Sequence, residues 1–522
     1  MVSISQINDD NSTNVNLGNG AIFTGIAVDV QKFASIIITV ISDQTSASNG
    51  LRIQFSPDNS LWVTFHSFAY TANEHMTQSI GIKFRYFRIV FTNGSIPTTS
   101  LNIQSILSEE GAVVSSESQE IMFSTEQADA FGRIKVSNPQ RILDLTHTRG
   151  LNENLETVSI INSGGLPSQD WKEDESAVDM TITGLGSITR QSRVYSIYQP
   201  GKSLTIYLTG VLDSDNNTST LTSRMGYFDN NNGIFLEYDG TNISVVLRSY
   251  ITGAAVDNKI LQSDWNIDTF DGSGPSGLNL DISSAQIFVI DLEWLGVGIV
   301  RTGLVIRGTV NFAHFFFNSN LNSTTYMTTA NLPVRYQLIG NDGLASGRLK
   351  QICASVQSDG GYDPKGIIFS ENRGILSINA TTTITPLISI RLKVDTTSHA
   401  RTNVLLDSIT AITPSNANAL IELWITRHEF GNPLTASTFS LSSADSSVEV
   451  DTRATAFSSR HSRRLQSTYV SNNNNETQLV AQGLTGLSVD MGQSISDIIT
   501  LTARVISGNQ AYLGGFNWTE VY

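Results

Sequence analysis

Short stretches in which apolar and polar residues alternate are the main pattern of this chain, and they predict β-strands. Residues Ser35–Ile41 are mostly β-branched, Leu51–Phe55 alternates strictly, Leu61–Phe68 is rich in aromatic residues, and Lys83–Phe91 carries apolar groups on both faces. Turn sequences such as Asn-Gly and Pro-Asp-Asn separate these stretches. The pattern predicts a compact β-sandwich over residues 1–108.

The same pattern continues through the rest of the chain. Further predicted strands are Ser203–Leu208, Gly233–Tyr238, Ile243–Ser249, Gln286–Trp294, Leu304–Phe317, Arg335–Ile339, Ile367–Phe369, Leu387–Val394 and Ala419–Arg427. Helical periods do not alternate with these strands, which disfavours a parallel α/β architecture. We predict an all-β fold, in which a jelly-roll-like N-terminal sandwich is followed by a large antiparallel β-sandwich over residues 146–395. Residues 396–522 are predicted to form a C-terminal β subdomain, either a third domain or the closing strands of the second.

Residues 109–145 interrupt the strand pattern. Much of this segment is acidic or small, and it shows no sustained hydrophobic period. Such a composition is typical of an acidic linker or an extended arm. We therefore predict the first domain boundary here.

Composition and charge narrow the functional classes. Charged residues make up 15% of the 522 residues and the formal net charge is −15, which disfavours binding to nucleic acid or to an anionic membrane through long-range attraction.

No apolar run is long enough to span a bilayer, so no membrane insertion is predicted. The N-terminus lacks a secretory signal pattern, and we expect synthesis in a cytoplasm. Cys353 is the single cysteine, which excludes an intrachain disulfide.

Two groups of sequence segments resemble known families, and the first lies in the N-terminal part. The segments QFSPDNSLW, FRYFRIVFTNG and LNIQSIL together resemble discoidin-like, galactose-binding-type β-sandwiches. In that family the loops at the tip of the sandwich bind sugars or lipid headgroups. The resemblance covers about a fifth of the chain, and a docking or spacer sandwich is the alternative reading.

The second resemblance extends from about Ala130 to Tyr522. The segments that carry it are AFGRIKVSNPQRILDL, YQPGKSL, RMGYFDNNNGIFLEYDG, QSDWNIDTFDGSGPSG, IDLEWLGVGIVR, LPVRYQL, LKQICASVQSDGGY and GGFNWTEVY. Together they resemble a family of virion structural proteins of tailed marine phages and large DNA viruses. The resemblance implies a place in the virion, assembly with other virion proteins, and self-association, for which we expect a homotrimer.

One predicted strand carries two carboxylates on the same face, Asp291 and Glu293. Lectin-like jelly-roll glycosidases carry Glu, Asp and Glu at alternate positions of one strand, with two carboxyl groups about 5 Å apart. Val289 stands here where that pattern requires a carboxylate. Either hydrolysis uses a carboxylate from elsewhere in the chain, or Arg301 or Arg307 on a neighbouring strand engages the pair.

Aromatic residues beside polar loops are candidates for stacking on sugar rings. Trp265, Tyr227 and Tyr238 lie in such positions, and together with Asp291 and Glu293 they form the predicted carbohydrate-binding set. Aromatic residues in β-proteins more often belong to the core, which is the alternative.

A basic cluster contrasts with the acidic composition of the chain. It contains Arg460, Arg463 and Arg464, and we predict that it contacts an acidic neighbour such as Glu109–Glu110 of another copy. The alternative is a solvated loop.

The sequence predicts no bound cofactor other than a possible calcium ion. The seven histidines are scattered and form no zinc-binding pattern. Calcium accepts oxygen ligands from irregular loops, and Asp213–Asn217 and Asp229–Asn232 supply such oxygens. Neither segment matches an EF-hand, and turns rich in Asp and Asn also form without metal.

These observations favour a non-enzymatic virion structural protein, a component of an external spike, fibre, tail or capsid-associated assembly. A glycan-binding host-attachment protein is the first alternative and predicts aromatic and polar groups converging in a concave site. A polysaccharide-degrading spike enzyme is the second and predicts two carboxylates facing each other across a groove.

Overall fold

The computed structural model describes residues 5–108, 129, 138–215, 217–363, 365–394, 401–413, 418–470, 476–480 and 486–522. The chain divides into two compact units, one containing residues 1–122 and the other nearly all of residues 123–522. Almost every regular element is a β-strand, and each strand pairing is antiparallel. The predicted all-β fold is confirmed.

The first unit is a sandwich of two sheets. Its strands are β1 (Ser5–Ile7), β2 (Ile22–Thr24), β3 (Val28–Asp29), β4 (Ser35–Ser42), β5 (Ser46–Ser56), β6 (Val63–Phe68), β7 (His75–Gly81), β8 (Tyr86–Asn93) and β9 (Leu101–Ser108). One sheet has the order β1-β9-β4-β7, and the other has the order β2-β8-β5-β6, with β3 also paired to β8. Ile38 on β4 and Ile53 on β5 are fully buried in the core between the sheets.

The second unit begins with the large sandwich. Its strands are β10 (Gln140–Thr146), β11 (Glu156–Asn162), β12 (Ser168–Lys172), β13 (Ala177–Thr183), β14 (Gly186–Ser192), β15 (Ser203–Val211), β16 (Leu221–Phe228), β17 (Gly233–Tyr238), β18 (Ile243–Ser249), β19 (Val256–Leu261), β20 (Gln286–Leu292), β21 (Val300–Ile306), β22 (Thr309–Phe316), β23 (Val334–Gly340) and β24 (Ser346–Asp359). An eight-stranded sheet has the order β12-β13-β24-β15-β20-β21-β22 with β10 paired to β24, and a seven-stranded sheet has the order β11-β14-β23-β16-β17-β18-β19. The Tyr336 hydroxyl on the second sheet lies 3.1 Å from the Thr209 carbonyl oxygen on the first.

A smaller sandwich completes the second unit. Its strands are β25 (Ile367–Asn372), β26 (Ile378–Ala380), β27 (Thr385–Leu392), β28 (Asn403–Ile412), β29 (Ala419–Thr426), β30 (Leu434–Thr435), β31 (Ser440–Leu441), β32 (Val448–Asp451), β33 (Ala456–Phe457), β34 (Ser462–Val470), β35 (Glu476–Val480), β36 (Ile498–Val505) and β37 (Gln510–Val521). Its main sheets have the orders β31-β32-β27-β36-β29-β34 and β25-β37-β28-β35, and Trp518 is fully buried in its separate core.

The helical elements in the described residues are the short 3-10 turns Asp9–Asn11, Gln262–Asp264 and His428–Phe430. No helix of the described residues is long and apolar enough to cross a membrane.

Two predicted domain boundaries differ from the structure. Residues 140–145, predicted to end the linker, belong to β10, which pairs with β24 of the large sandwich. Strands β25 to β27, predicted to close the large sandwich before residue 396, pair with strands of the smaller one. Most of these pairings join residues more than a hundred positions apart in sequence, so the local pattern does not identify them. The remainder of the predicted linker, apart from residues 129, 138 and 139, lies outside the described residues.

One stretch that the sequence predicts as a single strand forms two strands in the structure. The stretch Leu304–Phe317 was predicted as continuous, but β21 ends at Ile306 and β22 begins at Thr309. Between them Arg307 and Gly308 both have positive φ, 55° and 81°, as a two-residue hairpin turn requires. An arginine in the first turn position does not resemble the usual Asn-Gly pattern, which explains why the alternation of apolar residues concealed the turn.

Candidate functional site

The predicted catalytic pair is buried within the large sandwich. An Asp291 oxygen lies 2.5 Å from an Arg301 nitrogen, and the Ser203 hydroxyl donates a 2.6 Å hydrogen bond to the other Asp291 oxygen. The side chains of Asp291 and Arg301 are 3% and 5% exposed, and Glu293 is fully buried. Asp291 therefore links β15, β20 and β21. The hypothesis that Asp291 and Glu293 face a substrate groove or a sugar is wrong, and the alternative partner Arg301 is confirmed.

Two of the three predicted sugar-stacking residues belong to the core. The Trp265 indole packs edge-on against Phe270 and donates a 3.2 Å hydrogen bond to the Ile260 carbonyl. The Tyr227 hydroxyl lies 2.9 Å from the Ala330 carbonyl oxygen, and burial raises the pKa of Tyr227. Their polar atoms are satisfied by backbone groups, which is how buried tyrosine and tryptophan are accommodated. The prediction that Trp265 and Tyr227 bind carbohydrate is therefore wrong.

Tyr238, the third, lines an open cleft of about 610 Å³ at the end of β17. The ring is half-buried, and burial together with the nearby charges of Asp213 and Asp239 raises its pKa. The other side chains that line the cleft include Asp213, Asn242, Gln262, Asp271, Asp281 and Ser283. Aromatic and polar groups therefore converge in a concave site, the arrangement predicted for glycan binding.

The acidic side chains of the cleft are held by the turns that carry them. The exposed Asp271 carboxylate accepts hydrogen bonds from the Ser273 hydroxyl at 2.6 Å and the Ser273 amide at 2.9 Å, and these bonds lower the pKa of Asp271 to about 2. Asp281 accepts equivalent bonds from Ser283, which lower its pKa. Both carboxylates are therefore ionised at neutral pH. Their remaining lone pairs are suited to accept hydrogen bonds from hydroxyl groups of a ligand.

The oxygens proposed for calcium are engaged by protein groups. One Asp213 oxygen accepts a 2.6 Å hydrogen bond from the Asn217 amide, and one Asp229 oxygen pairs with Arg401 at 2.8 Å. The other Asp229 oxygen accepts two backbone hydrogen bonds in its own turn. Asn216, within the first segment, lies outside the described residues. The described contacts join these oxygens to protein groups and do not show a coordination geometry for a cation. Calcium binding stays a prediction.

The three arginines of the basic cluster have different environments. Arg464 pairs with the buried Glu422 of the same chain at 2.7 Å. Arg463 lines a cavity, and Arg460 is exposed. Arg464 is therefore engaged within the chain, whereas contact of the cluster with another copy stays a prediction. The proposed partner Glu109–Glu110 lies outside the described residues.

Two buried charge networks were not foreseen from the sequence. In the first, Glu156 on β11 contacts Arg190 and His147 at 2.7 Å each and Gln351 at 2.6 Å, joining the two sheets of the large sandwich. Their positions are scattered over slightly more than 200 residues of sequence. Arg190 stands in the segment SITRQS, in which most residues are polar, so the local sequence does not mark it as part of a buried network.

The second network joins the large sandwich to the smaller one. Arg193 pairs with Glu429 at 2.6 Å, and Arg427 pairs with Asp497 at 2.5 Å. His428 lies between the two acids, 3.0 Å from Asp497 and 3.4 Å from Glu429. These three residues are close enough to hold a metal ion. Two guanidinium groups already neutralise the carboxylates, however, so the arrangement is that of an ion-pair network.

A family model matches one part of the chain. Residues 2–108 match the model described as the N-terminal domain of the uncharacterised protein YqxG. The match covers about one fifth of the chain and ends where β9 ends. Comparison with curated protein sequences finds no match.

Several solved structures are similar to the chain at low identity. The PBSX exported protein XepA is 13% identical, with 68% of this chain and 86% of XepA covered and a TM-score of 0.18. A triple jelly-roll protein from the turret of an archaeal virus is 10% identical, with coverages of 99% and 88% and a TM-score of 0.17. A lectin from Bauhinia forficata in complex with GalNAc is 10% identical, with coverages of 41% and 97% and a TM-score of 0.25. All three TM-scores are below 0.5, so these similarities indicate no function for this chain.

Proposed function

We propose that this chain is a non-enzymatic structural protein of a virus particle that assembles with further copies of itself, as a homotrimer, and with other virion proteins. The sequence resemblance of residues 130–522 to virion structural proteins supports a location in the virus particle. The observation that supports assembly is a set of exposed aliphatic side chains on neighbouring segments at one end of the large sandwich. Isolated exposed apolar residues are normal, but a contiguous group of them is typical of an interaction site.

This apolar end is formed by three neighbouring segments. Backbone hydrogen bonds join Leu166 to Thr183, at 2.7 Å, and Gly184 to Ala345, at 2.6 Å. The exposed aliphatic side chains on these segments and on the adjoining end of β11 are Ile160, Ile161, Leu166, Leu185 and Leu344. Leu166 and Leu344 are 73% and 82% exposed. Strand β11 is also the edge of its sheet, so backbone groups are available for pairing beside the apolar side chains. A second copy of the chain is the occupant we assign to this surface.

Replacing Leu166 and Leu344 together with aspartate is expected to convert the oligomer to a monomer. Charged groups in the centre of an apolar contact lose hydration without gaining a partner, and paired copies bring like charges together. Size-exclusion chromatography with light scattering gives the mass. Ile375→Asp, at a 95% exposed position in the smaller sandwich, is the matched control and is expected to leave the oligomer intact. A wild-type chain that is monomeric at high concentration contradicts the proposed assembly.

A second function, glycan recognition on a host surface, is favoured by the Tyr238 cleft. The half-buried ring offers an apolar face, and Asp271 and Asp281 offer ionised acceptors for hydroxyl groups. Sugar rings present this combination of an apolar face and a rim of hydroxyl groups. We propose that the cleft binds a neutral glycan, since none of the side chains that line it is cationic.

Tyr238→Ala is expected to weaken binding to the best ligand on a glycan array by about tenfold, or about 1.4 kcal/mol, because the stacking surface is lost. Titration of that glycan measures the change. Tyr250→Ala, on the same sandwich but away from the cleft, is expected to bind like the wild type. Equal affinities of the Tyr238 and Tyr250 variants, or no ligand on the array, oppose glycan recognition at this cleft.

A further inference from the structure

A cavity of about 220 Å³ lies where the large sandwich meets the smaller one in the second unit. Its walls come from β11 and β14 on one side, and from the turn after β29 and the start of β34 on the other. Four arginines line it, Arg190, Arg193, Arg427 and Arg463. The volume is smaller than that of sites for drug-sized ligands and suits a single sugar residue.

Two of these arginines, Arg193 and Arg427, each retain one donor after their own pairs are formed. Arg193 is 4% exposed at its side chain, donates from Nη2 to Glu429 and donates from Nε to the Glu153 carbonyl at 2.8 Å. Its remaining nitrogen, Nη1, is buried and has no acceptor among the described residues. The Nε of Arg427, 9% exposed at its side chain, likewise has none within the described part of the chain. A buried donor without an acceptor is unfavourable, so such groups are usually satisfied by a ligand or a water molecule.

The acidic residues that line the cavity do not accept hydrogen bonds from the remaining nitrogens of Arg193 and Arg427. Glu156 is paired with Arg190, and Glu429 with Arg193. Glu153 is exposed at the rim and uses its backbone carbonyl, rather than its carboxylate, to accept from Arg193. We therefore expect the carboxylate of a ligand to accept hydrogen bonds from these arginine donors, because a planar carboxylate matches the geometry of a guanidinium group.

The mouth of the cavity adds an aromatic wall. The rings of Phe430 and His461 stack with centroids 5.1 Å apart and an interplanar angle of 6°, and both residues are exposed. A flat aromatic surface beside arginine donors that lack an acceptor fits a sugar ring that carries an acid group. We propose that this cavity binds a carboxylate-bearing monosaccharide residue, with Arg193 as the carboxylate-binding side chain and Phe430 against the sugar ring. This site is separate from the Tyr238 cleft and does not depend on the functions proposed above.

Isothermal titration of the full chain with sodium glucuronate, glucose and inorganic sulfate tests the proposal. Glucuronate is expected to bind, and glucose is expected not to bind at the same concentration. Arg193→Gln is expected to weaken glucuronate binding at least tenfold, whereas Arg464→Gln, a half-exposed arginine that does not line the cavity, is expected to have no effect.

Phe430→Ala tests the same site without disturbing a buried charge. This variant is expected to weaken glucuronate binding several-fold while leaving the circular dichroism spectrum unchanged, so the test stands even if Arg193→Gln does not fold. Binding of glucuronate that neither substitution weakens overturns the proposal, as does the absence of binding. The proposal is also overturned if sulfate and glucuronate bind with equal affinity and Phe430→Ala has no effect. That result shows an adventitious ion only.

Discussion

Replacing Glu156 with glutamine is expected to lower the free energy of unfolding of this chain by about 3 to 5 kcal/mol. The carboxylate is 2% exposed and contacts Arg190 and His147 at 2.7 Å each. Burial opposes its charge, but the hydrogen bond with His147 and the charge of Arg190 outweigh burial and lower the pKa of Glu156. Glutamine keeps the size of the side chain but leaves the buried guanidinium group without a counter-charge, which is the costly part of the change.

Urea unfolding followed by circular dichroism measures this loss. Glu173→Gln is the matched control, since Glu173 is exposed on the same sandwich, and a change within about 0.5 kcal/mol is expected for it. A double variant, Glu156→Gln with Arg190→Met, is expected to recover part of the loss because it removes the unpaired charge. A loss below about 1 kcal/mol for the single variant contradicts the role assigned to the network.

Acid is expected to lower the free energy of unfolding through Asp497, whose carboxylate contacts Arg427 and His428 in the second network. Burial alone raises the pKa of this carboxyl, but the hydrogen bond from His428 and the charge of Arg427 lower it to about 2, from an ordinary value of 3.8. Because the folded value lies below the unfolded one, the stabilisation is complete above about pH 4 and is lost as the pH falls through 2. The shift corresponds to about 2 kcal/mol.

The comparison of wild type with Asp497→Asn between pH 2 and pH 5 measures this effect. Asparagine does not titrate, so the difference in the free energy of unfolding is expected to be largest at pH 5 and to shrink by about 2 kcal/mol toward pH 2. Asp174→Asn, at an exposed position, is the control for general acid effects. A difference that stays constant over this range contradicts the low pKa.

The strands were largely predictable from the sequence because their determinants are local. The predicted bounds of β17 and β18 coincide with the observed ones, and the Asn-rich turn before Gly233 and the Asp-Gly turn after Tyr238 mark the two ends of β17. The hairpin at Arg307 and Gly308 was missed because its turn residues are atypical. The pairing of β27 with β36 was missed because partners more than a hundred residues apart leave no local trace in the sequence.

The candidate sites were less predictable than the strands, because burial decides their role. Trp265, Tyr227 and Tyr238 have equivalent surroundings in sequence, but only Tyr238 lines an open cleft in the structure. The pairing of Arg193 with Glu429 depends on how two sandwiches meet, and no spacing in the sequence encodes it. Sequence patterns identify residue types that suit a chemistry, whereas the fold determines which of them meet.

If this chain is the virion structural protein proposed above, it belongs to the purified virus particle. Quantitative mass spectrometry of purified particles, compared with the lysate from which they were purified, tests it most directly. We predict that the chain is enriched in the particles, at a fixed ratio to the other virion proteins and in a multiple of three copies. A chain that is abundant in the lysate and absent from the particles would contradict the claim.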